Sequence, residues 1–300
     1  MVNVKREFPR ERFDQELRSI SPRIGVYVKD LDTGTVYEYA ADDRFPTASI
    51  CKLPVMVELF RQAAEGKFSL DERRKVDRND FSTWGTGSLR FLEDLPELTL
   101  RDYCRLMICI SDNMATDFLM DLLGVDAVNA TIEKLGFTNT RTSMPMGRWH
   151  YLVCDMGDVA CNPENDKILL KKYRSAYRNW NGLASRDSLD NNVTSPRDTG
   201  TLLEKIHLGE IVSPEASAEM LGILKARAGG MIAGNVQWNV EVANKYGSGC
   251  GVKGDVGIVY LPTGPLLISA ILFCTTGGGD WISKVARMAV EAFSPESLAR

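Results

Sequence analysis

Histidine is nearly absent from this chain: 300 residues hold two, His150 and His207. Seven cysteines are present, yet no two are spaced as CxxC. Together these leave the usual structural zinc sites without ligands. An odd number of thiols cannot pair completely within one chain. Most of them sit among apolar neighbours, which suits buried, unreactive cysteines in a reducing compartment. No apolar run reaches the length of a membrane span, and the longest, Pro265 to Cys274, reads as a buried strand. No block of five like charges occurs, and 36 basic against 40 acidic residues give a formal charge of −4. Neither a nucleic-acid stripe nor a basic membrane anchor is written into such a chain. The first twenty residues are charged throughout and lack an apolar signal region. For the chain as given, that points to the cytoplasm, and to a secreted or periplasmic protein only if a leader has been removed. Fixed-period repeats and low-complexity linkers are also missing.

What remains is an enzyme-sized globular composition, 44% hydrophobic and 25% charged, enough to bury a large core. Alternating β-type residues from Ile24 to Ala40 flank Asp32-Thr33-Gly34 and predict a hairpin. A helix is expected from Ala48 to Glu65, closed by Gly66, with a local adjustment at Pro54. Further helices are expected after Thr99 and over Ala115–Leu123, Asp126–Leu135, Pro196–His207 and Trp281–Phe293. Strands are expected over Val240–Tyr246, Val256–Leu261 and Leu266–Cys274, the last two joined by a turn at Thr263-Gly264. The expectation is an α/β (α+β) chain whose antiparallel sheet is built from both termini. Residues 1–45 and 215–300 would carry the sheet, and 46–214 a helical lobe, with a cleft between them.

Three short patterns could carry chemistry. Ser49 and Lys52 lie three apart near a helix start, so hydroxyl and amine share one face. A serine becomes a nucleophile only when a base takes its proton, and a neighbouring lysine can do so. Ser111-Asp112-Asn113 follows an apolar helix and reads first as an N-cap for a helix near Met114. That role leaves the Ser111 hydroxyl and Asn113 amide able to face a cleft. Lys245-Tyr246-Gly247 lies on a strand; its plain reading is a solvated edge lysine beside a glycine that permits close backbone approach.

In their order, these patterns resemble the S-x-x-K, S-D-N and K-T-G signature of class A β-lactamases and penicillin-binding proteins. Phe45-Pro46, TLRDYCRLMICISDNMATDFLM, VTSPRDTGTLLEKI and Asp255–Val259 resemble the family's flanking segments, so the likeness runs from about Ile24 to Phe293. It implies the two-lobed β-lactamase/transpeptidase-like fold and a serine hydrolase acting on a small amide, lactam or ester, with no metal or other cofactor. By the same resemblance, Ser49 is the acylated nucleophile, Lys52 its base, and Ser111 the relay to the leaving nitrogen. Lys245 supplies positive potential. Asn113 binds the acyl-side amide, and the N–H groups of Ser49 and Ser248 form an oxyanion hole beside Gly247. Removing one such donor costs about 3 kcal/mol of transition-state stabilisation.

The departures from that pattern are specific. Tyr246 stands where Thr or Ser is usual, and its hydroxyl lies too far out to reproduce the short contact to a substrate carboxylate. No arginine lies in Asp255–Leu261 to compensate. No glutamate occurs between Asn165 and Thr201, where the family's deacylating Glu is expected; Asp187 and Asp190 are the nearby acids. Gly147-Arg148-Trp149-His150 resembles the family's Arg-Trp-Glu stretch, with His150 in the place of Glu. His150 is then either a substitute base or a loop histidine without a catalytic part. Glu164 lies in a context that does not match the family. The inserted loop at about 137–195, some thirty residues longer than the family's, holds Trp149, Tyr151, Tyr173, Tyr177 and Trp180. It is either a lid or specificity wall, or a helical subdomain with a satellite core. Trp84 is either an aromatic gate at the cleft or a loop anchor. Met56 stands opposite Cys104 in the place of the family's disulfide partner, so that bond cannot form.

Overall fold

The computed structural model describes residues 8–19, 23–157, 159–175, 178–226, 229–274 and 280–299. Among them, strands β1 (Arg23–Asp30), β2 (Val36–Tyr39), β3 (Val242–Gly249), β4 (Val252–Leu261) and β5 (Gly264–Phe273) form one sheet. Its order is β2-β1-β5-β4-β3. All neighbours are antiparallel, and β1 pairs with β5 at Val26 opposite Ala270. The two ends of the chain therefore build one sheet, as the sequence patterning predicts. The helices are α1 (Arg10–Arg18), α2 (Lys52–Ala64), α3 (Leu100–Cys109), α4 (Asn113–Leu123) and α5 (Val125–Lys134). They continue as α6 (Met146–Val153), α7 (Pro163–Arg174), α8 (Pro196–His207), α9 (Pro214–Lys225) and α10 (Trp281–Phe293). None among the described residues is long and apolar enough to cross a membrane.

Alternation along the strands divides the core in two. Val26, Val28, Ile268, Ala270 and Leu272 face α1 and α10. Tyr27, Leu267, Ile271, Val256, Ile258 and Ala243 face the helical side, with α2, α3, α4, α8 and α9. Strand β5 is buried on both faces, which is why its sequence is a continuous apolar run rather than an alternating one. On α10, Ile282, Val285, Ala286, Ala289, Val290 and Phe293 recur at steps of three and one, giving a single apolar stripe against the sheet.

Several expected boundaries move, each for a physical reason. The helix expected at Ala48 opens as a 3₁₀ turn, Ala48–Cys51, and becomes α-helical at Lys52. Pro54 thus falls in the first α-helical turn, where a missing N–H breaks no intrahelical bond. Strand β3 continues past Tyr246 to Gly249, and β4 starts at Val252 rather than Val256. The glycines there argue against strand, but the pairing continues through Gly247 opposite Gly254. The 137–195 loop contains α6 and α7. Helices α1 and α9 lay outside the expected set; α9 carries the Ser213-Pro214 cap that also starts α8 at Ser195-Pro196.

Candidate active site

The Ser49 turn is clamped between sheet and helices. Ala48, immediately before Ser49, has φ +44°, and Ser111 has φ +59°. A non-glycine residue held there costs on the order of 1–3 kcal/mol and persists only where its surroundings dictate it. For Ser49 the surroundings are β3: a Cβ added to Gly247 would meet Thr47 O at 2.5 Å and Ser49 N at 2.9 Å. Only glycine lets the strand lie this close to the turn. The reading of Lys245 as a solvated edge lysine fails, because this edge-strand lysine is fully buried.

Its ammonium reaches the S-D-N turn. Lys245 Nζ donates to Ser111 Oγ at 3.0 Å and to Tyr246 O at 2.9 Å. From the other side Lys52 Nζ donates to Ser111 Oγ at 3.0 Å, Ser111 O at 2.7 Å and Asn113 Oδ1 at 2.7 Å. Lys52 is likewise fully buried, and Ser111 and Asn113 nearly so. One hydroxyl therefore sits between two buried amines, and one of them, Lys52, lies three residues after Ser49. Asp112 does the capping, accepting from Ala115 N at 3.0 Å, so Ser111 and Asn113 are left to the site.

A loop the sequence marked only by Trp84 holds this turn in place. Asp112 Oδ2 accepts from Ser88 N at 2.7 Å and Leu89 N at 2.9 Å, while Asn113 N donates to Thr86 O at 3.0 Å. Thr86 Oγ1 donates to Ser111 O at 2.6 Å. The flanking glycines allow this: a Cβ on Gly87 would lie 2.5 Å from Asp112 Cα. Thr86 is a positioning residue missed in the sequence, and its signal was the Gly-Thr-Gly bracket. Trp84 does two things at once. Its carbonyl accepts from Asn113 Nδ2 at 3.5 Å, and its ring packs on Tyr173 of α7 at 4.9 Å between centroids.

The insertion splits along the same line. Trp149, Tyr151, Met144, Met146, Cys154 and Leu169 form a satellite core that also takes in Ala48, Cys51 and Val252, beside the Ser49 turn. Tyr173 and Trp180 stay exposed; Tyr177 lies outside the described residues. The satellite-core reading of the insertion therefore holds for its buried residues. Asp166, missed in the sequence, joins the halves. It accepts from Ser82 Oγ (2.7 Å), Thr83 N (2.7 Å), Thr83 Oγ1 (2.9 Å) and Tyr151 OH (2.8 Å). The other acids stand apart: Asp187 pairs with Arg23 at 2.8 Å, Asp190 bonds Ser188 at 3.0 Å, and Glu164 is exposed in the first turn of α7.

His150 lies on α6 rather than in a loop, half-buried. A Cβ on Gly85 would come within 2.1 Å of Asn113 Nδ2 and 3.3 Å of His150 Cε1, so the ring edge faces the Asn113 side of the site. Its Nδ1 is 2.8 Å from Met146 O. A carbonyl only accepts, so Nδ1 carries the proton and Nε2 the lone pair. Burial pushes the imidazole down to about 4. It is therefore neutral at pH 7, and a weak base.

The Tyr246 ring centroid lies 5.4 Å from Lys245 Nζ, and its Cδ1 is 3.4 Å from where a Gly230 Cβ would stand. Burial pushes the Cys51 thiol up to about 11 and Cys104 to about 12, so these are packing groups rather than nucleophiles.

The family model described as "Beta-lactamase enzyme family" matches residues 9–293. The chain belongs to that family. Beta-lactamase 3 of Bacillus cereus is 24% identical over 258 residues, 85% of this chain and 70% of that protein. The crystal structure of a beta-lactamase from Sphaerobacter thermophilus superposes with a TM-score of 0.74 at 26% identity, covering 93% of this chain and 95% of that one. PBP-A superposes with a TM-score of 0.75 at 26% identity, covering 95% and 96%, and a point mutant of it has been captured as an acyl-enzyme complex with penicillin G. This beta-lactamase family member has the fold of those enzymes and is a hydrolase of their type.

One buried acid in this beta-lactamase-like frame gives a pH prediction. Asp117 of α4 caps α6 from outside, accepting from Met146 N at 2.5 Å and Gly147 N at 2.8 Å. Burial nonetheless raises its carboxyl to about 7. The folded chain then holds a proton that the unfolded chain releases near 4, so stability falls as pH rises from about 4 to about 7. The slope is at most about 1.4 kcal/mol per pH unit. Denaturant titrations of wild type and Asp117→Asn at pH 5, 6 and 7 should show their stability difference moving by about 1 kcal/mol or more per unit, in favour of Asn at the higher pH. A pH-independent difference would mean that this carboxyl titrates as an ordinary one.

Proposed function

We propose that this chain is a serine acyl-transfer hydrolase of the class A β-lactamase type, which opens a β-lactam or related cyclic amide through an acyl-enzyme at Ser49. The observation that carries the reading is the Ser111 hydroxyl, held by Lys52 and Lys245 at 3.0 Å each beside the Ser49 turn. Two buried ammonium groups on one hydroxyl repel each other; a Lys52 that loses one proton relieves that repulsion, keeps its donations to Ser111 O and Asn113 Oδ1 and gives up the one to Ser111 Oγ. Lys52 then takes the Ser49 proton as the oxygen attacks the carbonyl. The developing oxyanion falls to the N–H groups of Ser49 and Ser248. The proton passes through Ser111 to the leaving nitrogen, with Lys245 stabilising the charge. Asn113 Oδ1 stays on Lys52, and Nδ2 offers its second hydrogen to the acyl-side amide.

A second reading uses the same machinery on a D-amino-acid peptide or ester. Tyr246 favours it, since no short hydroxyl stands beside Lys245 for a lactam carboxylate, and so does the lack of a carboxylate base at His150. Comparing a chromogenic cephalosporin, simple esters and D-amino-acid peptides distinguishes the two. Tyr246→Thr should raise acylation by carboxylate-bearing β-lactams severalfold and leave neutral esters nearly unchanged. Equal effects on both would remove Tyr246 from carboxylate recognition.

A further inference from the structure

One buried carboxylate ties three segments together beside the candidate site. Asp166 of α7 is 8% exposed. It is not spent on its own helix, which Asn162 caps by accepting from Asn165 N at 2.9 Å. Its two oxygens serve two neighbours. Oδ2 accepts from Thr83 N at 2.7 Å and Thr83 Oγ1 at 2.9 Å. Oδ1 accepts from Ser82 Oγ at 2.7 Å and from Tyr151 OH of α6 at 2.8 Å. Such donors are what make a buried carboxylate tolerable. The path continues through Ser82. With its hydrogen given to Asp166, Ser82 Oγ accepts from Trp84 N at 3.1 Å. That bond and the two on Thr83 fix the backbone from Ser82 to Trp84, and the Trp84 carbonyl accepts from Asn113 Nδ2 at 3.5 Å. The loop is pressed against this amide, since a Cβ on Gly85 would lie 2.1 Å from Asn113 Nδ2. The amide oxygen has a separate anchor, Lys52 Nζ at 2.7 Å. The nitrogen takes its position from the loop.

We propose that Asp166 is a positioning residue for substrate recognition: through Ser82 and Trp84 it fixes the Asn113 amide nitrogen, and so favours substrates that carry an acyl-side amide. The proposal rests on the acyl-enzyme reading above, in which that nitrogen meets the substrate's amide. Asp166 acts as an array of acceptors. Asparagine has the same shape; it can keep Oδ1 on Thr83 and turn Nδ2 to Ser82 Oγ and Tyr151 OH, both of which can accept. Leucine fills similar space and accepts nothing. The inserted stretch that supplies α7 thereby reaches the site without touching substrate.

The test compares two penicillins with one bicyclic nucleus: benzylpenicillin, which carries the acyl amide, and 6-aminopenicillanic acid, which has a free amine in its place. Acylation of Ser49 is timed by intact mass in the wild type, Asp166→Leu, Asp166→Asn and Ser82→Ala. Asp166→Leu should slow acylation by benzylpenicillin about tenfold and leave that by 6-aminopenicillanic acid within about twofold. Ser82→Ala cuts the path but leaves Asp166 on Thr83 and Tyr151, and should lower the same ratio about threefold. Asp166→Asn should keep most of it. Equal slowing of both penicillins, or an asparagine variant as poor as the leucine one, overturns the proposal. If Asp166→Leu fails to fold, Ser82→Ala decides, and an unchanged ratio there overturns it. Hydrogen exchange, read peptide by peptide, separates this from the hydrolase reading. Asp166→Leu and Ser82→Ala should speed exchange over 82–88 and 111–113 and leave α10 unchanged. Acylation of the wild type with exchange unaltered in both variants overturns the proposal alone. Faster exchange in a protein that neither penicillin acylates overturns the hydrolase reading, and the selection with it, and leaves the tie from Asp166 to Asn113 standing.

Discussion

Ser49→Ala is expected to abolish acyl transfer and all covalent labelling by penicillins or serine-directed probes. The loss should be complete within detection rather than partial. On the proposed reading every other group at the site acts on the bond that Ser49 makes: Lys52 would take its proton, Ser111 would carry that proton onward, and the N–H groups would stabilise the oxyanion its attack creates. Without the hydroxyl they have no covalent step to assist, and only binding remains. The variant should fold, because Ser49 is half-buried in a 3₁₀ turn fixed from behind by Gly247 and from below by Ala48 and Cys51. Intact-protein mass spectrometry after incubation with penicillin, alongside a thermal melt, reads both quantities. Labelling that persists at another residue of the folded variant would overturn the assignment of the nucleophile.

The residues around that nucleophile were legible because each belongs to a short pattern with its own local cause. Ser49 and Lys52 share a helix face, Asp112 caps a helix, and Gly247 permits a close approach. What brings them together is not local, and the sequence could not show it: Lys245, which reads as a solvated strand lysine, is buried only because β3 lies against the S-D-N turn. The same limit explains Asp166. Helix α7 buries only Asp166 and Leu169, so it carries no apolar stripe, and its polar sequence looks like loop. Helix α1 buries only Phe13 and Leu17, for the same result. Tertiary contacts decide these segments, as they decide how far β3 and β4 run through their glycines.

The weak step should be release of the acyl group. On the proposed reading acylation would draw on Lys52, Ser111 and Lys245, which lie in hydrogen-bonding reach of one another, and on the oxyanion donors. Deacylation needs a water held on the acyl carbonyl by a base, and a positioned general base contributes roughly 10²–10⁴-fold. Among the described acids of the insertion, Asp166 is engaged by Ser82, Thr83 and Tyr151, Asp187 by Arg23, and Glu164 is exposed. His150 is the group that faces Asn113, with Nε2 free of the proton that Nδ1 donates to Met146 O. Burial holds it near 4, so it is unprotonated across neutral pH but takes a proton poorly. A penicillin should therefore give a burst equal to the enzyme concentration, followed by a slow steady rate. Seconds after mixing, intact mass should rise by one opened ligand. His150→Ala should lengthen the life of that adduct by about tenfold without preventing its formation, while His150→Glu should shorten it. In the wild type, the deacylation rate should be flat above pH 5 and fall as pH drops through about 4, where the imidazole charges. Rapid multiple turnover with no adduct would refute slow release, and an adduct lifetime unchanged in His150→Ala would leave this histidine as a helix residue that merely borders the site.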